Sequence, residues 1–113
     1  MSDEISFDDF LKVDIRVGTV IDAQEFPEAR RPALKLWVDF GAEIGTRKTS
    51  AQITKLYDAD SLVGRQVVAV VNFPPKQIAN MMSECLVLGG IGNDKEIILL
   101  QPERQVENGT RIG

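Results

Sequence analysis

The sequence predicts a compact all-β barrel, and three features carry that prediction. Two stretches, "VDIRVGTVIDAQEF" and "ALKLWVDFG", alternate apolar and polar residues with the period of two that marks half-buried strands. A third, "RQVVAVVNF", is nearly continuous in β-branched residues, as expected of a central strand covered on both faces. The only helix signal inside this series, "TKLYDADSLVG", is short, polar and glycine-terminated, and it stands between the third and fourth strands.

Taken in order, the elements begin with a short helix. Ser6 followed by Asp9 has the spacing of a capping box, and Phe7, Phe10 and Leu11 form an apolar stripe at helical spacing. In the first strand Val13, Ile15 and Val17 alternate with Asp14 and Arg16, and Gly18 marks an expected bulge or tight bend where a barrel strand turns a corner. After the proline-punctuated loop "EFPEARRP", Leu34, Leu36, Val38 and Phe40 are expected on one face, with Lys35, Trp37 and Asp39 on the other. "GTRKTSAQI" is the third strand. The stretch "NFPPKQIANMMSECLVLGG" then reads as a long connection running into a strand start, with Pro74-Pro75 fixing the chain because proline cannot donate to a ladder. "ECLVLGG" and "EIILLQP" are the last strands, joined through the turn "GGIGNDK", and the tail turns at Asn108-Gly109. Five or six short strands with a small helix between the third and fourth match a five-stranded Greek-key OB-fold barrel. An SH3-like barrel or a small sandwich satisfies the same pattern less specifically.

At 113 residues the chain reads as a single domain, 1–113, large enough for one core without disulfides or metals. One cysteine and no histidine exclude an intramolecular disulfide, a Cys/His zinc site and every imidazole-dependent nucleophilic mechanism. No catalytic residue, metal or cofactor is expected. Cys85, at the head of "CLVLGG", reads as a buried inert thiol. The apolar runs fall far short of the ~20 residues that span a bilayer, and the acidic N-terminus lacks a basic flank or apolar signal region. A cytoplasmic location without membrane insertion is therefore expected. The net charge of −4 is unevenly spread. Residues 1–28 carry eight acids against Lys12 and Arg16, whereas residues 29–76 carry eight basic residues against four acids. Such a mid-chain excess is able to build a positive face on an acidic protein.

At four stretches, "DIRVGTV", "SAQITKLY", "NFPPKQIA" and "SECLVLGG", the sequence resembles the tRNA-binding OB domain found at the C-terminus of bacterial methionyl-tRNA synthetases, in free-standing tRNA-binding proteins and in related eukaryotic cytokine precursors. The likeness is closer to the CsaA-like branch, through "EFPEAR", "ALKLWVDFG", "TSAQIT", "VVNFPPKQIA", "LVLGGI" and "LLQP" followed by "NGTRIG", and it runs from Phe7 to Gly113. The resemblance implies a cytoplasmic homodimer on an OB barrel, with segments outside the barrel joining the subunits. CsaA-like proteins are regarded as chaperones for unfolded or precursor polypeptides, in connection with secretion. The parent family binds the outer corner of tRNA through backbone and shape contacts.

Carried over by position, the resemblance places Arg47, Lys48 and Ser50, then Asn72 and Lys76, then Ser83 and Glu84 at the tRNA- or polypeptide-binding face. Asn72 and Ser83 suit phosphate or 2′-hydroxyl contacts, and Lys76 suits a phosphate. The loop departs from the tRNA-binding pattern at Gln77, Ile78, Ala79 and Asn80, where two cationic positions are lost, and Cys85-Leu86 replaces a Gly-Met pair. Arg30 and Arg31 add charge on another loop. An apolar polypeptide site is expected to draw on Trp37, Phe73, Met81 and Met82, because methionine suits adaptable surfaces. Phe7, Phe10, Leu11 and Ile112, outside the minimal barrel, are the expected dimer contacts.

Overall fold

The computed structural model of the chain describes residues 3–113. Helix α1 (Phe7–Leu11) is followed by strands β1 (Ile15–Glu25), β2 (Leu34–Asp39) and β3 (Thr46–Ala51). Helix α2 (Ala59–Leu62) leads to β4 (Gln66–Val70), and five short strands complete the fold. These are β5 (Lys76–Ile78), β6 (Met81–Ser83), β7 (Leu86–Val87), β8 (Gly89–Ile91) and β9 (Ile97–Leu99). The main sheet has the order β3-β2-β1-β4-β7, with hairpins β5–β6 and β8–β9 beside it. The result is the expected nearly closed five-stranded antiparallel barrel with two small helices, consistent with an OB-fold.

β1 makes the barrel possible because it serves two partners. Its residues 15–19 pair with β4 and residues 19–25 with β2, so the strand passes from one half of the barrel to the other at Thr19. Along β2, Leu34, Leu36, Val38 and then Phe40 are buried while Lys35, Trp37 and Asp39 are half-buried, the alternation expected. β4 is buried on both phases from Val67 to Val70, as its composition requires, and Val71 just after it is buried too. Helix α2, capped by Asp58 and Ser61, places Leu62 in the core with Leu36, Val38, Phe40 and Val67. The capping box of α1 forms as well: Ser6 Oγ accepts from Asp9 N, and the Asp9 carboxylate accepts from Ser6 N.

Three expectations are corrected. The bulge lies at Ile21 and not at Gly18, because the β1–β2 register slips between Val20 and Asp22. Gly18 answers a steric need instead: a Cβ there would lie 2.6 Å from Val38 Cγ1 and 2.9 Å from the Asp39 carbonyl oxygen. The stretch after β4 is also not an open connection. It folds back as hairpin β5–β6, turning at Ala79, whose φ of 50° is the left-handed conformation. The two strands expected at the C-terminal end are likewise cut short, "ECLVLGG" being divided between β7 and β8.

The C-terminal tail returns along β1. Gly109 N donates to Val17 O at 2.7 Å, Val17 N to Thr110 O at 2.9 Å, and Ile112 N to Ile15 O at 2.8 Å. Arg16 fastens this return by donating to Asp14 Oδ1 at 2.6 Å and to Gly109 O at 3.0 Å, while Arg111 donates to Leu11 O at 2.9 Å. The hydrogen bond from Arg16, helped by the charges of Arg16, Arg111 and Arg47, holds the Asp14 carboxyl below its usual range despite partial burial. Because the folded-state value is depressed, the stabilisation is complete above the unfolded value of about 3.9 and disappears as pH falls through the folded one. Urea midpoints measured from pH 6 down to pH ~2.5 are expected to fall less below pH ~4 in Asp14→Asn than in the parent chain. An identical slope in the two would contradict this role.

Candidate functional site

The register separates the expected site residues onto two faces. Residues directly opposite in neighbouring strands share a face. Trp37 stands opposite Asp22 and Lys48, and Lys35 opposite Gln24 and Ser50, so Lys35, Trp37, Lys48 and Ser50 share the outer face. Arg47 stands opposite Val38 on the inward phase, and its Nη1 donates to the Val71 carbonyl. Arg47 and Lys48 are adjacent in sequence yet serve different sides.

The hairpin brings together residues that sequence alone could not pair. Lys76 faces Ser83, Gln77 faces Met82, and Ile78 faces Met81. The hairpin is tied to β3 by Ser83 Oγ, 2.9 Å from Thr49 Oγ1, and by Glu84, whose Oε1 accepts from Lys48 N at 3.1 Å. Asn72 sits apart from these groups. Its Oδ1 accepts from Asp14 N at 2.9 Å and its Nδ2 donates to Lys12 O at 2.7 Å, which pins the entry to β1. Lys76 and Ser83 therefore share one face of the hairpin, Lys48 lies on the outer face of β3 and meets Glu84 only through its main-chain N–H, and Arg47 and Asn72 are occupied by the fold.

The apolar candidates also divide. Met81 is 8% exposed and packs in a small satellite core with Phe26 and Ala33, Ile78 resting against it. Met82 and Phe73 are exposed. Trp37 is half-buried on the strand face. Of the expected dimer contacts, Phe7 and Leu11 are exposed, Phe10 and Ile112 half-buried.

A largely apolar groove of about 630 Å³ runs along the line where β3 and β7 would meet to close the barrel. Its walls come from Ile53 after β3, Ile78 of the hairpin, Leu86 and Leu88 around β7, and Ile91 and Ile97 of the last hairpin. Leu86 is 49% exposed and Ile91 84% exposed, so apolar surface stands open to water at its rim. None of Ile53, Ile78, Leu86, Leu88, Ile91 and Ile97 was among the expected site residues. The one available signal was that "LVLGGI" carries apolar residues on both phases beside two glycines, more than a strand with one buried face can hide. A second groove of about 750 Å³ lies beyond Ile78 and is more polar, with Arg30, Arg31, Gln52 and Gln77 among its lining residues.

The one thiol in the groove is not set up for covalent chemistry. Cys85 is buried at its base, and burial pushes the thiol up to about 11, far from the range of a reactive thiolate. Among the described residues no three His, Cys, Asp or Glu side chains are placed to hold a metal ion. The arrangement is suited to noncovalent capture of an extended apolar ligand.

Comparison with known proteins agrees with this architecture. Residues 15–111 match the family model described as "Putative tRNA binding domain". The methionine–tRNA ligase of Methanococcoides burtonii is 38% identical over 110 residues, 97% of this chain and 16% of the ligase, and that of Bacteroides fragilis is 37% identical over 108 residues. The chain thus spans about 16% of the length of these curated relatives. A crystal structure of the chaperone CsaA from Bacillus anthracis superposes with a TM-score of 0.93 at 52% identity, covering 98% of this chain and all of that one. The CsaA chaperone protein from Picrophilus torridus gives 0.91 at 48% identity, covering 97% and 100%, and a MetRS-related protein from Pyrococcus horikoshii 0.87 at 25%, covering 99% and 100%. On the extent of the family match and these identities, the chain belongs to the tRNA-binding-domain family, with CsaA chaperones among its structural neighbours.

Proposed function

We propose that this chain is a non-enzymatic, CsaA-like chaperone that binds unfolded or export-bound polypeptides in the cytoplasm. The observation that carries the reading is the apolar groove between β3 and β7, with Leu86 and Ile91 open to water at its rim. Its volume of about 630 Å³ lies in the range of ligand-binding clefts. End-to-end likeness to a chaperone at 52% identity supports the same reading. The active form is a homodimer in this proposal: α1 offers Phe7 at 71% and Leu11 at 47% exposure, and the tail carrying Ile112 lies beside it through the Arg111–Leu11 hydrogen bond.

A second reading, tRNA binding, is supported by the outer face. Lys35 and Lys48 come from the strand 2–3 side, where OB-folds bind nucleic acid, the loop before β2 adds Arg30 and Arg31, and Lys76 stands nearby on the hairpin that lines the groove. It ranks second because the hairpin turn presents Gln77, Ala79 and Asn80 where phosphate contacts need cations.

Titration of labelled unfolded polypeptide and of labelled bulk tRNA, each at low and physiological salt, separates the two. Polypeptide binding with little salt dependence is expected, weakened by changes in the groove. Submicromolar tRNA binding with a steep salt slope, flattened by roughly one unit in each of Lys48→Ala and Lys76→Ala, would reverse the order. A monomeric mass at micromolar concentration would remove the dimer.

A further inference from the structure

We infer that the groove captures polypeptide by strand addition, with the ligand's main chain hydrogen-bonded into the open seam of the barrel. The inference rests on the polypeptide-binding reading and says how that binding is made.

In the main sheet each neighbouring pair is antiparallel, so β3 and β7, at its two ends, run parallel to one another. They are stitched together at one end only. Lys48 O accepts from Glu84 N at 2.8 Å, and Thr49 Oγ1 donates to Cys85 O at 2.7 Å. Beyond these, among the described residues, no hydrogen bond joins residues 50–53 to residues 86–89, and the groove opens between them.

Strand parity shows which main-chain groups face the gap. Lys48 turns its N–H and C=O away from β2 and toward Glu84, so with the two-residue period Ser50 turns its own the same way. On the other side Leu88 N donates to Val68 O of β4, while Cys85 O is directed at Thr49; Val87 lies on the phase of Cys85. Ser50 and Val87 thus present main-chain groups from two strand edges into one apolar groove, the Ser50 carbonyl meeting only a long 3.4 Å contact from Thr49 Oγ1, whose proton goes to Cys85 O at 2.7 Å. Unpaired strand edges of this kind accept an added strand, with main-chain bonds supplying sequence-independent affinity and the flanking pockets taking alternate side chains.

Charge narrows the occupant. The charged side chains in the groove lining are Lys76 and Lys95, both cationic. The segment that fits is extended, apolar at alternate positions, and flanked by carboxylates and not by ammonium groups. Nucleic acid cannot supply the amide ladder.

The test uses the whole protein and a fluorescent nine-residue peptide of alternating leucine and serine with glutamates at both ends. Two further peptides carry N-methyl groups on alternate amides, one on the odd positions and the other on the even ones. A strand added to an edge presents alternate N–H groups to it, so one N-methylated peptide is expected to lose affinity by about tenfold or more and the other by less than about threefold. Because a single edge takes the strand, amide hydrogen exchange is expected to slow at Ser50 or at Val87, and not at both, when the unmodified peptide binds. Equal affinity for all three peptides, or equal loss in both N-methylated ones, would overturn strand addition while leaving polypeptide binding in place. So would unchanged exchange at both amides, or protection of them by self-association without peptide. Failure of every peptide and of unfolded polypeptide to bind would remove the underlying reading instead.

Discussion

Replacing Gly18 with alanine is expected to lower stability by about 3 kcal/mol, the upper end of overpacking costs in a well-packed core. Gly18 lies in β1 one residue before the point where that strand passes from β4 to β2, and its backbone φ is unexceptional. Space is the limit, not conformation. A methyl group would meet Val38 Cγ1 at 2.6 Å, Phe40 Cδ1 at 2.7 Å and the Asp39 carbonyl oxygen at 2.9 Å. The two side chains are themselves in the main core, fully packed, and the third contact is backbone, so no flexible group is free to give way. For a chain of this size the loss corresponds to a fall in Tm of roughly 10–20 °C. Thermal and urea unfolding of Gly18→Ala measure it directly. A change below about 0.5 kcal/mol, the level of an indifferent surface substitution, would show that the close approach of β1 and β2 is not tight.

The second large effect falls on binding and leaves the fold alone. Leu86→Ser combined with Ile91→Ser is expected to weaken unfolded-polypeptide binding by about tenfold to a hundredfold. Burying an apolar side chain of this size contributes about 1.5–3 kcal/mol when complete, and every 1.4 kcal/mol is about tenfold in affinity. Leu86 is 49% and Ile91 84% exposed in the free chain, so their removal opens no enclosed cavity, and stability is expected to stay within about 0.5 kcal/mol. Equilibrium anisotropy with a labelled unfolded polypeptide, beside a urea melt of the same variant, separates the two quantities. Unchanged affinity in a folded variant would place the polypeptide elsewhere.

The barrel was legible because its evidence is periodic. Leu34, Leu36, Val38 and Phe40 alternate with polar residues and are buried accordingly, and the β-branched run of β4 could be satisfied only by cover on both faces. The Ser6–Asp9 and Asp58–Ser61 boxes are local, so the first could be read from spacing before any tertiary contact was known. What could not be read was set by strand pairing. Lys76 meets Ser83 only because Ala79 accepts a left-handed turn, and alanine carries no signal for one. Arg47 and Lys48 were read as one basic patch, yet a strand sends neighbours to opposite faces and the register with Val38 decides which goes inward. Asn72 resembles a ligand-binding residue by motif, while both ends of its amide are bonded to the backbone near Lys12 and Asp14, sixty residues away in sequence. The apolar groove escaped because no contiguous motif encodes it: Ile53, Ile78, Leu86 and Ile97 come from four separate segments.

The most direct test is a contact map of the bound polypeptide. An unfolded polypeptide carrying a photoreactive phenylalanine analogue is mixed with the protein at physiological salt, irradiated, and the crosslinked peptides are identified by mass spectrometry. Crosslinks concentrated at Ile53, Ile78, Leu86, Leu88 and Ile91, and suppressed in the Leu86→Ser, Ile91→Ser variant, are expected if the groove between β3 and β7 receives the chain. Crosslinks confined to Trp37 and the Arg30–Arg31 loop, with the groove residues unlabelled, would contradict it.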